Sequence, residues 1–339
     1  MLEKLTVRNF TAFTHLALEF LPGANVFIGA NATGKTHVLK LLYAALSSQA
    51  VTERREGEAF ARKLQNVFLP RERHLGRLVH RVKGGETCEG VIKRHGRDLT
   101  FSFSNRAVNE LEFRSRWPSE IGPAVYVPVK EMLANAPGFR SLYQTREIHF
   151  EEIYADIIDK AYLPLLKGAP TQDRKLLLDM VQEAMEGRVV VKGEQFYLRN
   201  RQGELEFTLL AEGHRKLALL WLLIANGTLL EGSTLFWDEP EANLNPALIS
   251  TLVAILLQLQ RQGVQLFVAT HSYVVLKEFE LQRTMDHALR YIVLERDSAT
   301  REITHRVADA YLETLPHGVA QAYEDIYDRE VQRTLEGVL

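Results

Sequence analysis

A glycine-rich octet near the start of the chain constrains its fold more than any other feature. Residues 29–36 read Gly-Ala-Asn-Ala-Thr-Gly-Lys-Thr and fit the phosphate-binding pattern G-x-x-x-x-G-K-[S/T] in full. The apolar run at 25–28 predicts a short buried strand before the octet, and residues 37–46 predict a helix after it. A strand, a glycine loop and a helix in this order favour an α/β fold in which the helix N-terminus faces a bound anion.

The octet also predicts which groups would hold a nucleotide. Successive backbone N–H groups would turn around the phosphates of ATP, Lys35 would reach the β- and γ-phosphates, and the Thr36 hydroxyl would bind Mg²⁺. The predicted cofactors are therefore ATP and Mg²⁺. The expected nucleotide-binding residues are Gly29, Asn31, Ala32, Thr33, Gly34, Lys35, Thr36 and His37.

A second motif ends an apolar strand in two carboxylates. Residues 235–240 read Leu-Phe-Trp-Asp-Glu-Pro. P-loop ATPases place such a pair at the carboxyl edge of the sheet, where Asp238 would bind the Mg²⁺ and Glu239 would orient and deprotonate the attacking water. A strand followed by an ordinary acidic turn is the alternative. The octet lysine upstream favours the catalytic interpretation.

Composition excludes several classes of protein. The apolar share of 46% and the charged share of 25% are those of a globular chain, and the net charge of −2 gives no general attraction to nucleic acid or membranes. Cys88 is the only cysteine, so neither a disulfide framework nor a cysteine zinc site is predicted. The first residues lack the order of a signal peptide, and the longest apolar stretch, 217–225, is about half of a bilayer span. We expect a cytoplasmic protein with no membrane contact.

The order of four motifs resembles the ABC-type ATPase superfamily, in the branch of SMC, RecF-like and OLD-family ATPases. Residues 210–216 (Leu-Ala-Glu-Gly-His-Arg-Lys) stand where this family has its signature loop, residues 241–246 where it has its D-loop, and residues 270–272 (Thr-His-Ser) where it has its switch histidine. About 200 residues separate Lys35 from Asp238, which suits a fold with a lobe inserted between the two motifs. The resemblance covers about residues 1–45 and 205–275.

The resemblance implies an α/β ABC-ATPase head, with a mixed sheet around the P-loop core, an antiparallel β lobe and an inserted helical lobe. Residues 1–50 and 190–339 are expected to form the core. Residues 51–128 would form the arginine-rich β lobe, and residues 129–189 the helical lobe. Within the β lobe, the pattern predicts strands at 77–82, 89–93 and 99–103, with turns at 83–85 and 95–98.

ATP-dependent pairing of two heads, into a homodimer or a higher homo-oligomer, is also implied by the resemblance. The signature loop of one subunit would cap the γ-phosphate held by the other, which assigns a role in trans to Gly213 and to Arg215. His271 would sense the γ-phosphate and take part in catalysis beside Glu239.

The sequence departs from the family's pattern at three positions. Ala211 stands in place of the signature serine, Glu212 in place of the following glycine, and Asn245 in place of the D-loop aspartate. Slow hydrolysis is therefore expected. The Q-loop residue is left open between the segment 128–131 and Gln65.

Arginine and lysine dominate the expected β lobe. Residues 53–116 hold 15 Lys and Arg against nine Asp and Glu. On a small sheet, these cations could form a nucleic-acid backbone groove at 71–97, or simply a solvated face that docks an acidic partner. The cations considered are Arg71, Arg73, Arg77, Arg81, Lys93, Arg94 and Arg97.

Several functions fit these motifs. The chain looks like the ATPase subunits of bacterial anti-phage systems of the PARIS or Septu type, in which nucleotide state regulates a separate effector protein. Only 67 residues follow Ser272, so any nuclease activity is expected in another polypeptide. The alternatives are a RecF- or SMC-like DNA repair ATPase that binds duplex DNA, a transporter ATPase subunit, which the altered signature loop disfavours, and a silent assembly scaffold.

Overall fold

The computed structural model describes residues 1–48, 56–81, 86–118, 122–146 and 148–335. The predicted turn at 83–85 lies outside these ranges. The strands are β1 (Leu2–Phe10), β2 (Phe13–Glu19), β3 (Ala24–Ile28), β4 (Thr87–Arg94), β5 (Arg97–Ser104), β6 (Glu112–Ser115), β7 (Ala124–Val127), β8 (Arg188–Lys192), β9 (Gln195–Asn200), β10 (Gly203–Glu206), β11 (Thr234–Asp238), β12 (Gln265–Thr270), β13 (Leu289–Arg296) and β14 (Ile303–Ala308). The helices are α1 (Lys35–Ser47), α2 (Glu56–Phe68), α3 (Phe139–Thr145), α4 (Glu152–Ala161), α5 (Gln172–Ala184), α6 (Glu212–Ala225), α7 (Ile249–Arg261), α8 (Tyr273–Gln282) and α9 (Gly318–Leu335).

A mixed sheet with the order β14-β13-β3-β12-β11-β7 forms the centre of the molecule. Strands β13, β3, β12, β11 and β7 are parallel, and β14 joins the edge antiparallel to β13. All residues of β3, β7, β11 and β12 are buried, because a parallel sheet is covered on both faces. From the sequence, the short apolar runs at 25–28, 124–127, 234–237 and 264–270 predict buried strands, and the structure has β3, β7, β11 and β12 at these positions.

Alternating side chains of the central sheet divide between two hydrophobic cores. On β11, Leu235 and Trp237 belong to the first core, which includes α6 and α7. Phe236 points to the other face and belongs to the second core, which includes α1 and α2. The same alternation places Val26 on the first face and Phe27 on the second. The central sheet is thus a rigid layer, and its carboxyl edge can hold functional loops at fixed positions.

A second sheet, with the order β2-β1-β4-β5-β6, is antiparallel and packs with α1 and α2 in the second core. The predicted strands at 89–93 and 99–103 are confirmed as β4 and β5. The strand predicted at 77–82 is wrong. Residues Leu75–Leu78 form a short 3₁₀ turn, and only Val79 makes an isolated bridge, to Phe10. The N–H groups of Arg77 and Val79 donate back to the carbonyl oxygens of His74 and Gly76 within this turn, and the N–H of His80 donates to the carbonyl oxygen of Asn9 in β1.

A third sheet, β10-β9-β8, lies in the first core beside α5 and α6. The sequence at 195–199 and 204–208, joined across Asn200-Arg201-Gln202-Gly203, predicts a hairpin, and the structure has β9 and β10 there. The sequence predicts a helical segment at 141–187, broken at Pro164 and at 168–170. The structure has α3, α4 and α5 in this region, and both breaks lie between α4 and α5. A division into a core (1–50, 190–339), a β lobe (51–128) and a helical lobe (129–189) remains a proposal, and the second sheet takes β1 and β2 from the N-terminal segment.

None of the helices within the described ranges is both long and apolar enough to cross a membrane. Cys88 is buried in β4, and burial raises the pKa of its thiol. The thiol is therefore protonated near neutral pH.

Candidate active site

Three neighbouring parallel strands end at the same place. Strands β3, β12 and β11 are adjacent in the central sheet, and each is followed by one of the predicted motifs. The octet follows β3, Thr270-His271-Ser272 closes β12, and Asp238-Glu239 closes β11. Because the carboxyl ends of parallel strands share one edge, the fold brings these motifs together.

Lys35 lies at the first position of α1, and its ammonium folds back over the octet. Its Nζ donates hydrogen bonds to the carbonyl oxygens of Gly29, at 2.6 Å, and Ala30, at 2.9 Å. Burial lowers the pKa of Lys35, while the nearby carboxylates of Glu239 and Asp238 oppose that shift. A buried cation therefore lies at the amino end of α1. The lysine charge and the helix N-terminus would both stabilise an anion bound there.

Two glycines allow the octet to close around this cation. Gly34 has a φ of 90°, and a Cβ there would lie 2.4 Å from Cζ of Phe13. A Cβ on Gly29 would lie 2.4 Å from the carbonyl oxygen of Leu294 and 2.8 Å from Oγ1 of Thr33. Neither position has space for a side chain. Ala32 also has a positive φ, 64°, and is exposed together with Asn31.

Asp238 is almost fully buried, with an exposed fraction of 4%, and faces the start of α1. Its carboxylate accepts hydrogen bonds from the hydroxyl groups of Thr36 and Tyr126, the latter at 3.2 Å. Burial raises the pKa of Asp238, and these two hydrogen bonds counteract the shift. Tyr126, in the middle of β7, carried no sequence signal for this role.

Glu239 and His271 contact each other at the mouth of the site. His271 Nδ1 lies 3.1 Å from Oε1 of Glu239. Glu239 has a φ of 48°, and its N–H donates to the carbonyl oxygen of Ala269 at 2.8 Å. The strained backbone conformation at a carboxylate beside a histidine is of the kind found at catalytic positions.

Glu241 is a site residue for which the sequence predicted no role. Its Oε1 accepts a hydrogen bond from Thr270 Oγ1 at 2.6 Å and from the His271 N–H at 3.3 Å. Its Oε2 is buried without a hydrogen-bond partner among the described residues. Burial raises its pKa, and the bond from Thr270 opposes this. A third carboxylate two positions after Glu239 was the available signal.

The signature loop packs directly on the D-loop of the same chain. A Cβ on Gly213 would lie 3.0 Å from Cδ1 of Leu244 and 3.1 Å from the carbonyl oxygen of Asn243. The Glu212 carboxylate accepts from Nδ2 of Asn243 at 3.0 Å. Lys216, with an exposed fraction of only 2%, donates to the carbonyl oxygen of Ala242 at 2.6 Å. Glu212 is thus hydrogen bonded within the subunit.

Arg215 makes three hydrogen bonds inside the subunit, and its predicted contact in trans stays a prediction. Its Nε donates to Oε2 of Glu131 at 2.5 Å, and its Nη1 donates to the carbonyl oxygens of Phe207 and Leu210 at 3.0 and 2.7 Å. We therefore assign Arg215 to anchoring the signature loop. Its partner Glu131 follows β7, in the segment considered for the Q-loop.

The side chains of Gln65 and His37, two residues considered for the nucleotide site, contact neighbouring parts of the fold. Gln65 donates through Nε2 to the carbonyl oxygens of Arg73 and Val108 at 2.6 and 2.8 Å, and both acceptors lie in the segment between α2 and β6. His37 packs on the ring of Phe68 with a centroid distance of 5.7 Å, and its Nδ1 is buried without a partner in the described structure. Burial lowers the pKa of His37 to about 4. A nucleotide contact by His37 would be through its backbone N–H.

Thr36 and Asp238 offer oxygen ligands that suit a Mg²⁺ ion whose remaining ligands come from phosphates and water. Within the ranges that the structure describes, no group of three or more His, Cys, Asp or Glu side chains could hold a metal on its own. Thr36 and Asp238 offer one hydroxyl and one carboxylate, already in contact with each other. Mg²⁺ characteristically binds one or two carboxylates and completes its shell with phosphates and water.

The arginines of the expected β lobe do not all lie on a sheet, contrary to the sequence-based expectation. Arg71 and Arg73 lie in one 3₁₀ turn and Arg77 in another. Arg94, at the end of β4, is buried with an exposed fraction of 6%, which removes it from any nucleic-acid surface. Arg97 is exposed at the start of β5.

Comparison with known proteins identifies a family, related sequences and similar folds. The family model described as "AAA domain, putative AbiEii toxin, Type IV TA system" matches residues 101–277, slightly more than half of the chain. The match includes Asp238, Glu239 and His271 and begins after the octet.

Among curated proteins, the chain is similar to the DNA replication and repair protein RecF. It is 28% identical over 203 residues to RecF of Listeria monocytogenes and 30% identical over 200 residues to RecF of Listeria welshimeri. Each match covers 54% of this chain and 49% of the relative. The chain therefore spans about half the length of these relatives.

Solved structures of SMC heads share the fold. The Smc head domain with a coiled coil and joint from Pyrococcus yayanosii superimposes with a TM-score of 0.58 at 9% identity, covering 96% of this chain and 99% of that one. The SmcHead bound to the C-winged helix domain of ScpA gives a TM-score of 0.55 at 11% identity, covering 92% and 99%. The predicted α/β ATPase-head fold is confirmed.

Proposed function

The chain belongs to the AAA-domain family of P-loop ATPases, and from this membership we propose that it is an ATP-dependent switch. It binds ATP and Mg²⁺ between the octet and the Asp238-Glu239 corner. Hydrolysis takes place across a head-to-head pair of subunits. The nucleotide state then regulates a separate effector protein, in bacterial anti-phage defence.

One observation carries the nucleotide-binding part of the proposal: the buried Lys35 ammonium, the Thr36 hydroxyl and the Asp238 carboxylate meet at one sheet edge. The Lys35 ammonium donates to the carbonyl oxygens of Gly29 and Ala30. Because a charged phosphate oxygen is a stronger acceptor than a neutral carbonyl, a bound triphosphate would replace these acceptors. Thr36 and Asp238 would hold Mg²⁺, which supplies charge neutralisation on the transferred phosphoryl group.

Glu239 is the proposed general base. Its carboxylate lies at the mouth of the site, where it can accept a proton from water, and the contact with His271 Nδ1 orients it. Glu241 is the proposed positioning residue, because its carboxylate accepts hydrogen bonds from the Thr270 hydroxyl and the His271 N–H. In this proposal, Asp238 binds the metal and Glu239 accepts the proton. His271 and Glu241 orient the groups around them.

Pairing of heads is proposed through the signature loop around Gly213. Glu212 would repel a triphosphate if its charge were free, but its hydrogen bond from Asn243 and the neighbouring Lys216 ammonium reduce that repulsion. The first turn of α6 then offers backbone N–H groups to a phosphate held by a second copy.

Two substitutions test this proposal together. Lys35→Ala should abolish ATP binding measured by calorimetry, whereas Lys175→Ala, at an exposed lysine on α5, should bind as the wild type does. Glu239→Gln should bind ATP and accumulate a dimer in sedimentation runs, because hydrolysis is blocked. A Glu239→Gln protein that stays monomeric with normal ATP affinity would contradict pairing.

A role in defence is supported by the sequence resemblance to two-protein anti-phage systems. The test is to express the chain with its neighbouring genes, purify it by a tag and identify what co-purifies. A nuclease-like protein whose activity changes in the Glu239→Gln background supports the switch. Loss of phage protection should follow Lys35→Ala.

Repair of DNA is the second candidate function, and the similarity to RecF favours it. The exposed cations Arg71, Arg77 and Arg97 would then contact duplex DNA. Duplex binding should weaken as salt rises from 50 to 200 mM, by roughly 40-fold for three phosphate contacts. Arg97→Glu should reduce this binding without changing ATP affinity. Salt-independent or absent binding contradicts the repair function.

A further inference from the structure

An apolar groove lies outside the candidate active site, between β8 and the segment that follows α4. It has a volume of about 460 Å³ and is lined by Tyr162, Leu163, Pro164 and Leu165 on one side and by residues 188–191 of β8 on the other, with Trp221 of α6 between them. Leu165 is 43% exposed and Val191 is 41% exposed, so the apolar lining continues onto the surface. Large side chains exposed together at a groove are typical of a binding site.

The walls of the groove are fixed by hydrogen bonds and ring stacking. Tyr162 Oη donates to the carbonyl oxygen of Glu194 at 2.7 Å, and its ring stacks on Phe196 with a centroid distance of 5.0 Å. The N–H of Leu166 donates to the carbonyl oxygen of Ala225 at 3.1 Å. These contacts tie the segment after α4 to both β9 and α6. The groove is therefore preformed.

Strand β8 is an open edge of the third sheet. Within the described residues it pairs only with β9, and its sequence is Arg-Val-Val-Val-Lys. An edge strand presents N–H and C=O groups to any extended chain that lies alongside, and β-branched residues favour such pairing. The groove borders this strand, so an added strand would place alternate side chains into it.

Two polar features at the groove have no complement within the described part of the chain. Trp221 is 4% exposed, and its Nε1 is buried without a hydrogen-bond acceptor. The Arg188 guanidinium lies 6.0 Å from the centroid of the Trp221 ring and makes no ion pair with a described residue. The indole N–H requires a carbonyl or carboxylate oxygen, and Arg188 requires an anion.

We propose that an extended segment of a partner protein adds to β8 as a fourth strand of this sheet. The segment carries a large apolar side chain that fills the groove and an acidic side chain that pairs with Arg188. A second copy of this chain fits poorly, because antiparallel pairing of two β8 strands would place Arg188 opposite Lys192. This surface is separate from the nucleotide site, so its occupation does not depend on the proposed ATPase function.

A peptide library tests the proposal on the full-length chain. Random ten-residue peptides displayed on phage are selected on the wild-type protein without nucleotide. The expected consensus is an apolar residue, aromatic or β-branched, next to a glutamate or aspartate. Amide hydrogen exchange with a selected peptide should slow at residues 188–192, because strand addition protects the edge amides.

Variants at the groove and a matched control distinguish this surface from others. Leu165→Asp should weaken binding of the selected peptides by about tenfold or more in fluorescence anisotropy, since it places a charge in the groove. Leu281→Asp, at a residue 74% exposed on α8, should leave binding unchanged. Arg188→Glu should shift the selected consensus from acidic to basic residues. Lys35→Ala should bind the peptides normally, which separates this surface from the nucleotide site.

The following outcomes overturn the proposal. The library yields no consensus, or the selected peptides bind Leu165→Asp and Arg188→Glu as tightly as the wild type, or protection from exchange falls outside 188–192. A concentration-dependent dimer of the free protein that Leu165→Asp abolishes would show instead that a second copy occupies the groove.

Discussion

Lys216 Nζ donates a hydrogen bond of 2.6 Å to the carbonyl oxygen of Ala242. The lysine is on α6 and is the last residue of the signature-loop segment 210–216, and the carbonyl follows the Asp238-Glu239 corner by only a few residues. Burial lowers the pKa of Lys216, and the carboxylates of Glu212 and Glu241 oppose the shift. The contact therefore couples the surface proposed for pairing to the catalytic corner within one subunit.

Lys216→Met should weaken ATP-dependent pairing while preserving the fold. Loss of a charge-assisted hydrogen bond costs about 1.5–3 kcal/mol, but relief from burying an ammonium offsets part of this, so the free energy of unfolding should fall by less than about 2 kcal/mol. Urea unfolding and sedimentation with ATP measure the two effects. Lys175→Met serves as the control at an exposed lysine. Unaltered pairing in Lys216→Met would mean that the coupling has no part in association.

Glu241→Ala should lower kcat by about 10²-fold with little change in ATP affinity, because Thr270 and His271 lose the acceptor that holds them. Glu241→Gln should retain most of the activity, since its amide oxygen still accepts both hydrogen bonds. Steady-state ATPase assays and calorimetry separate kcat from binding. Equal losses in Ala and Gln variants would indicate that the charge itself, rather than the positioning, is required.

Gly34→Ala should abolish nucleotide binding and destabilise the protein. The residue has a φ of 90°, and its new Cβ would overlap the ring of Phe13 at 2.4 Å. Gly96→Ala is the matched control, since Gly96 also has a positive φ, 69°, but a Cβ added there would have no described atom within 4 Å. The control should lose only about 1–2 kcal/mol from backbone strain. Thermal unfolding that places both variants at the same stability would contradict the steric argument.

His317 should make the protein less stable in mild acid. It is buried, its Nδ1 accepts the N–H of Ala320 at 3.2 Å, and burial lowers its pKa. The unfolded chain therefore binds a proton at this histidine more readily than the folded chain does, so the free energy of unfolding falls as pH decreases through and below about 6.5.

His317→Asn should show a smaller decrease between pH 7.5 and 5.5, because the asparagine oxygen can still cap α9 but does not titrate. His317→Ala removes both the cap and the titration. Urea unfolding at the two pH values measures each difference. A slope in His317→Asn as steep as that of the wild type would assign the acid sensitivity to other groups, such as the histidines at 287 and 305, whose pKa values are also lowered by burial.

Local patterns predicted the central strands and the helices after them, because apolar runs bounded by turns need no knowledge of distant partners. The β lobe was harder. The helix α2 was missed although Phe60, Leu64 and Val67 recur at helical spacing, because the many charges around them obscured that spacing. The strand predicted at 77–82 is wrong because the N–H groups of Arg77 and Val79 donate back to the preceding turn, and strand-like pairing with β1 is reduced to an isolated bridge between Val79 and Phe10.

The sequence by itself determined the predicted roles of the octet and of the Asp238-Glu239 pair, and the alternation of strands and helices. Each of these depends on a few consecutive residues. Only the tertiary structure decided that Tyr126 supports Asp238 from 112 residues away and that Arg215 reaches back 84 residues to Glu131. It likewise decided that β8 is an edge beside an apolar groove. Such contacts depend on how the sheets stack, because a buried polar group must find its hydrogen-bond partner among the groups that the fold brings near it. No short stretch of sequence encodes which groups those are.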